Sequence, residues 1–413
     1  MVSNHDGKKE INAMNANPMK RNAFIFLLLL GFISLLSDFT HEGARSIYGP
    51  FLGLLGASAL VISFTSGLGE FIGQALRIVT GYIADRTKKY WVMMFIGYSL
   101  NLLVIPLLMF VDASIWQVAI LLILLERVGK GIRAPAKSAL TSFTATHFGA
   151  GKSFAIQEAL DQFGAFLGPL FVFLVLNLNK GSDLQGYQLA FGLLGIFAIM
   201  TLVILTIAKI KYPHPDELEG PTKTKGLRGN RAFFLYMIAI VFIAMGFIDY
   251  PVLAFHIGIA TPIDVIYVPL LYSLAMGIDA LAALSFGHLF DKKGIIALIL
   301  SVAISIGIAP IFFLVDGTLG IILGIILWGI GMGAQESILK AVIAMMVSKE
   351  KRATAYGVFY TVFGSAWALG SLLIGVLYEV NLLYVVVFSM AMELVALITL
   401  LIYRNRLLLQ PND

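Results

Sequence analysis

Uninterrupted apolar runs, each about as long as a bilayer-crossing helix, restrict this chain more tightly than any other property. Such a helix needs about 20 apolar residues at a rise of 1.5 Å each. The runs are continuous and do not alternate, which excludes a transmembrane barrel, and in lipid a single segment must satisfy its own backbone groups. Glycine, proline and charge clusters divide the chain into twelve spans, near 22–50, 58–84, 90–111, 115–140, 153–179, 186–210, 232–258, 263–290, 294–314, 318–347, 353–378 and 381–403. The sequence therefore predicts an all-α integral membrane protein with twelve transmembrane helices. Composition agrees: 59% of residues are apolar and 13% charged, against about 25% charged in an ordinary globular domain. That excludes a soluble enzyme, a disordered chain and a nucleic-acid binder. There is no cysteine, so no disulfide or thiolate metal site exists. No small-residue cleavage site follows the first run, which reads as a retained span.

The formal charge of +5 follows topology. Apart from Lys180, Arg45 and Arg77, the lysines and arginines lie in the two tails, in the even-to-odd connections, or in the parts of spans 4 and 10 leading into them. The positive-inside rule then places both termini in the cytoplasm, with the chain in the plasma membrane. A polar connection at 211–231, containing Pro213, Pro215 and Pro221, separates a six-helix block at 22–210 from another at 232–403, with tails at 1–21 and 404–413. The blocks resemble each other. Gly81 and Asp85 at the end of span 2 recur as Gly287 and Asp291 after 206 residues; Gly129 and Gly131 of span 4 recur as Gly331 and Gly333 after 202; Ala155 and Gly164 of span 5 recur as Ala355 and Gly364 after 200. Two six-helix pseudo-repeats of parallel topology are a transporter architecture, with substrate held between the halves near the midplane.

Four short motifs carry a family resemblance. Gly81-x-x-x-Asp85-Arg86-x-x-Lys89 after span 2 resembles the signature loop of the major facilitator superfamily, and Gly287-x-x-x-Asp291-Lys292-x-Gly294 resembles its second copy. Arg127-x-x-x-Gly131 in span 4 and Gly164-x-x-x-Gly168-Pro169 in span 5 resemble two further motifs, the latter linked in the family to antiport. Three positions depart from the family pattern. Lys88 stands in place of the usual loop glycine, Lys130 in place of a common glutamine, and Ala155 in place of a glycine. The resemblance implies the major facilitator fold and a gate formed by Gly81, Asp85, Arg86, Gly287, Asp291 and Lys292. Elementary chemistry allows the same role, since an aspartate at a helix end can meet a neighbouring helix N-terminus or a guanidinium.

Ionisable groups at bilayer depth are costly and mark pathways. Asp38, Glu42 and Arg45 stand at i, i+4 and i+7 on span 1, one face of a helix. Counting from Lys20 puts Asp38 roughly 27 Å along and Arg45 at the outer mouth. Glu70, Gln74 and Arg77 repeat the spacing on span 2, with Glu70 near the midplane. Span 4 carries Glu126, Arg127, Lys130, Arg133 and Lys137, and span 5 adds Gln157, Glu158 and Asp161. Asp38, Glu42, Arg45, Glu70, Glu126, Arg127, Arg133 and Asp161 are the candidates for substrate binding or proton coupling. The second half holds fewer: Asp249, His256, Asp279, Glu336, Lys340 and Glu393. His256 reads as interfacial, and Glu393 has no evident partner. Trp328, Tyr250 and Phe359 are candidate lining residues, with helix packing as the plainer use.

These features favour a monomeric secondary active transporter that moves a small organic solute by alternating access, coupled to protons. The span 5 glycines and the aromatic content lean toward efflux; the Glu and Arg stripes suit uptake of a polar or anionic metabolite. No phosphate-cradling glycine-lysine motif occurs, so no nucleotide cofactor is expected. The histidines show no ligand spacing, so neither a metal site nor a membrane-embedded lipid enzyme is expected. A passive channel is disfavoured by the duplication.

Overall fold

A computed structural model describes residues 18–144, 150–179, 183–218, 231–346 and 352–407. Fourteen α-helices among them build twelve spans. Spans 1 to 6 are α1 (Pro18–Leu54), α2 (Ala59–Thr87), α3 (Tyr90–Leu107), α4 (Trp116–Ser142), α5 (Ala150–Leu178) and α6 (Leu184–Lys211). Span 7 is broken into α7 (Arg231–Gly246) and α8 (Tyr250–Ala260); span 8 is α9 (Val268–Lys293); span 9 is broken into α10 (Ile295–Ser305) and α11 (Ile308–Leu314). Spans 10 to 12 are α12 (Gly317–Met346), α13 (Arg352–Val380) and α14 (Leu382–Leu407). Eleven spans are long and apolar enough to cross a membrane by length and composition. The other is α4, whose Glu126, Arg127, Lys130, Arg133 and Lys137 lower its hydropathy although its 27 residues give it ample length.

Local chemistry sets several helix ends. The Ser58 hydroxyl caps α2 by accepting from the Val61 N–H at 3.4 Å. At the other end of α2, Lys88 takes φ +55°, the left-handed conformation that glycine adopts without steric cost. This is the loop position where the family pattern has glycine. The expected continuous span 7 is interrupted at 247–249, where Pro251 sits in the first turn of α8 and the Asp249 carboxylate caps it by accepting from the Tyr250 N–H at 2.9 Å. The freed Ile248 carbonyl accepts from Trp328 Nε1 at 2.8 Å.

The duplication is visible in packing. A Cβ added to Gly129 would strike the backbone of Asn101 on α3, and one on Gly331 would strike Ser305 on α10, so span 4 meets span 3 as span 10 meets span 9. Gly131 faces α2 and Gly333 faces α9, so the same glycine pair also seats span 4 on span 2 and span 10 on span 8. Around the outside, large apolar side chains such as Leu178, Ile210 and Leu284 are left bare, as suits a surface solvated by lipid.

The halves touch along three seams. Gly49 of α1 lies on the backbone of Pro251 and Phe255; Gly67 of α2 lies on Ala368, while Gly375 of α13 lies on Leu60; and the Ser273 hydroxyl of α9 donates to the Phe166 carbonyl of α5 at 2.9 Å. The end away from Asp85 is further closed by Phe173 stacked on Tyr267 at 5.8 Å, and by the Leu60 N–H donating to Glu379 at 3.1 Å. At the Asp85 end, a cleft of about 650 Å³ runs between Gly81, Asp85 and Pro135 on one side and Tyr356, Gly357 and Val358 on the other.

Candidate functional site

A lattice of buried charge fills the interior of the first half and reaches across to the second. The Arg127 guanidinium lies 2.8 Å from Glu70 and 3.3 Å from Glu126. His41 sits between them: its Nδ1 is 2.8 Å from Glu126, and its Nε2 is 3.0 Å from the Lys130 ammonium and 3.4 Å from Glu42. Glu126 also accepts from the Asn101 amide, whose oxygen accepts from Arg133 Nε at 3.0 Å. Arg133 continues to Asp38 at 3.3 Å and lies 4.6 Å over the Tyr98 ring. Lys137 meets Asp161 at 2.7 Å.

Arg45 carries the lattice from the first half to the second. It is 3.6 Å from Glu42, 3.9 Å from Glu70 and 3.0 Å from Asp249 of the second half. Asp249 also accepts from the hydroxyl of Ser66 and, at 3.4 Å, from Trp367 Nε1. Tyr272 of α9 donates to Glu42 at 2.7 Å, a second bridge between the halves. Breaking one member of a buried ion pair costs about 3–5 kcal/mol because the other charge is left uncompensated, so these contacts hold each other in place.

Beside this lattice lies a cavity of about 170 Å³, bounded by Glu42, Arg45, Glu70, Arg77 and Lys130 on one half and by Gln335, Glu336, Lys340, Phe359 and Trp367 on the other. A second space of about 240 Å³, bounded by Asp38, Arg77, Lys130, Arg133 and Asp161, adjoins it. Arg77 borders both of these and the cleft at Asp85. The three together form a path from the centre to the Asp85 end, while the opposite end is packed shut.

The eight candidates for binding and coupling thus fall into one connected region, but not all where the sequence placed them. Arg45, expected at the outer mouth, lies in the interior opposite Glu70. The counting started from Lys20, yet α1 is 37 residues long, roughly 55 Å, and overshoots the bilayer. Asp38 pairs with Arg133 on span 4 and not along its own helix with Arg45. His256, expected at the interface, is 5% exposed, hydrogen-bonded to the Tyr378 hydroxyl at 2.8 Å and packed on Phe313. Phe359 lines the cavity, whereas Trp328 and Tyr250 are fully buried and hydrogen-bond to backbone carbonyls.

Among the described residues no gate side chain bridges the halves. Asp85 and Arg86 are exposed, and Arg86 contacts Tyr82 of its own helix at 3.3 Å. Gly287 has open space where a side chain would stand, Lys292 is exposed, and the Asp291 side chain lies outside the described residues. The cleft at this end separates the elements such contacts would join. Sequence reasoning missed His41, Asn101 and Tyr272, and gave Asp249 no role. His41 adjoins Glu42 and stands three residues after Asp38, a position inside the charged stripe that signals its burial among charges.

The chain belongs to the Major Facilitator Superfamily, whose pattern matches residues 27–371. It is 35% identical over 406 residues to an uncharacterized protein of Mycobacterium tuberculosis, covering 97% of this chain and 98% of that one. It is 30% identical to an uncharacterized MFS-type transporter of Methanocaldococcus jannaschii over 379 residues, 90% of this chain and 92% of the other. Among solved structures it is similar to a nucleoside transporter, NupG (TM-score 0.74, 14% identity, 91% of this chain and 99% of that one), and to a peptide transporter, POT (TM-score 0.73, 16% identity, 92% and 94%). At those identities the likeness shows the fold. The protein is a multi-pass membrane transporter, not an enzyme, and it moves a small molecule by secondary transport.

Proposed function

We propose that this protein is a monomeric proton-coupled carrier of the plasma membrane, with both termini in the cytoplasm, that takes up a small polar solute through the central cavity. The observation that carries the reading is the continuity of the chain Glu126, His41, Glu42, Arg45 and Asp249, which links the charged interior of one half to the other half beside the cavity. A buried carboxylate keeps its charge only while a cation stays beside it. Rocking the halves apart at Arg45 and Asp249 changes who pairs with whom, and so exchanges protons with the solvent that enters.

The charged lining supports a polar solute over an apolar one, which moves the balance from efflux to uptake. The glycine motif that suggested efflux has a packing role: side chains on Gly164 and Gly168 would strike the backbone of α1 at Leu35 and Phe39. The experiment uses proteoliposomes loaded with a pH-sensitive dye and held under an inwardly directed proton gradient. Solutes that are substrates should acidify the lumen and accumulate. Accumulation with no proton movement, or outward transport alone, would sink the reading.

A further inference from the structure

The interior pairs most of its cations, and two half-buried ones and an exposed lysine are left over at one place. Arg45, Arg127, Arg133 and Lys137 each have a carboxylate within 4 Å. Arg77 of α2, Lys130 of α4 and Lys340 of α12 border the same 170 Å³ cavity and, among the described residues, have none. Lys130 meets only the His41 ring, and Arg77 only the face of Tyr360, at 5.0 Å. Of the carboxylates on the wall, Glu42 is held by Tyr272 and Arg45, and Glu70 by Arg127. Glu336 alone lacks an ion pair within 4 Å and stands one turn from Lys340 on α12, so the wall carries more unpaired cation than carboxylate.

An independent observation marks the same space. Gln335 on the cavity wall is 2% exposed, yet neither its amide nitrogen nor its amide oxygen has a hydrogen-bond partner. Buried polar groups are nearly always paired, and an orphan points to an absent ligand. Arg77 Nε is likewise buried and unpartnered. On α13, Phe359, Phe363 and Trp367 supply an aromatic wall.

The geometry points to an organic oxyanion as the substrate class: a carboxylate or phosphate clasped by Arg77 and Lys130 from one half and Lys340 from the other, its uncharged body lying on the aromatic wall and read by Gln335. This rests on the carrier reading and adds the substrate to it. A clasp drawn from both halves also gives a reason for closure, because the anion then neutralises cations that otherwise repel one another. A pocket of about 150 Å³ holds a benzene ring, so the cavity suits a body of that size.

The test compares one ring with four head groups on the purified full-length protein: benzoate, phenyl phosphate, neutral benzamide and cationic benzylamine, by titration calorimetry and thermal stability. Benzoate or phenyl phosphate should bind at least about tenfold more tightly than benzamide or benzylamine, and which of the two wins identifies the head group. Arg77→Gln and Lys340→Gln should each weaken that binding about tenfold, while Arg77→Lys and Lys340→Arg retain most of it. Preference for benzylamine or benzamide, no binding of any of the four at millimolar concentration, an equal effect from chloride or sulfate alone, or undiminished binding in folded glutamine variants would each overturn the assignment. Counterflow of the bound anion in proteoliposomes examines the carrier reading separately: binding without counterflow defeats that reading and leaves the anion site intact.

Discussion

The two halves share a fold and a glycine pattern but treat interior charge in opposite ways. In the first half His41, Glu70, Glu126, Arg127, Arg133 and Asp38 form one connected lattice. In the second half Asp249 alone joins that lattice, through Arg45, and the other buried carboxyl groups make no ion pair among the described residues. Asp279 is buried with one oxygen unpartnered, Glu393 is 1% exposed with both oxygens unpartnered, and Glu336 has no ion pair among the described residues. Duplicated scaffolds therefore do not imply duplicated chemistry. The first half is built to hold charges against each other, and the second offers a wall for a ligand and a few isolated acids.

The sharpest way to break this contrast is to open the lattice. Replacing Arg127 with leucine removes the nearest guanidinium from both Glu70 and Glu126, so we predict a loss of about 3–5 kcal/mol in stability and of all counterflow activity, read by thermal unfolding in detergent and by transport. A variant of ordinary stability would mean the lattice is not cooperative. Less severe is Gly168→Val on α5, which forces α5 off the backbone of Phe39 and Gly43 and should cost about 1–3 kcal/mol by thermal unfolding. Gly287→Ala, facing open space inside α9, should instead raise stability by up to about 1 kcal/mol.

The second half should respond with the opposite sign. Glu393→Leu removes a polar group that finds no partner between α14 and Gly246, and we predict a gain of about 1–2 kcal/mol with counterflow retained. If transport disappears while stability rises, Glu393 belongs to the transport chemistry and the contrast between the halves fails. Among the smallest effects, Lys88→Gly relieves a left-handed backbone at an exposed turn and should raise stability by up to about 1 kcal/mol. Destabilisation instead would show that the Lys88 side chain does more than close the turn.

Much of this was legible in the sequence because lipid permits so few solutions. Span number and the duplication follow from apolar run length and glycine spacing, and the described helices agree within a few residues at most ends. The breaks in spans 7 and 9 are invisible to hydropathy, since 247–249 and 306–307 are as apolar as their surroundings apart from Asp249, and only Pro251, Gly307 and Pro310 mark them. The membership of the charged region was readable from residue type and depth; the pairing was not. Asp38 and Arg45 share a helical face, yet their partners come from α4 and from the other half, a choice made by how helices pack. Asp249 looked unremarkable because its partner is 204 residues away.

The glycines along the seams have a mechanical meaning. Where Gly49, Gly67 and Gly375 meet the opposite half, they face only backbone or the short side chains of Ser371 and Ser63. Contacts of this kind behave like a smooth bearing: one half can roll over the other through many small steps without lifting out of register. The pivot of the carrier is then set by where side chains are missing, and a single methyl group added to any one of them would wedge the two halves apart.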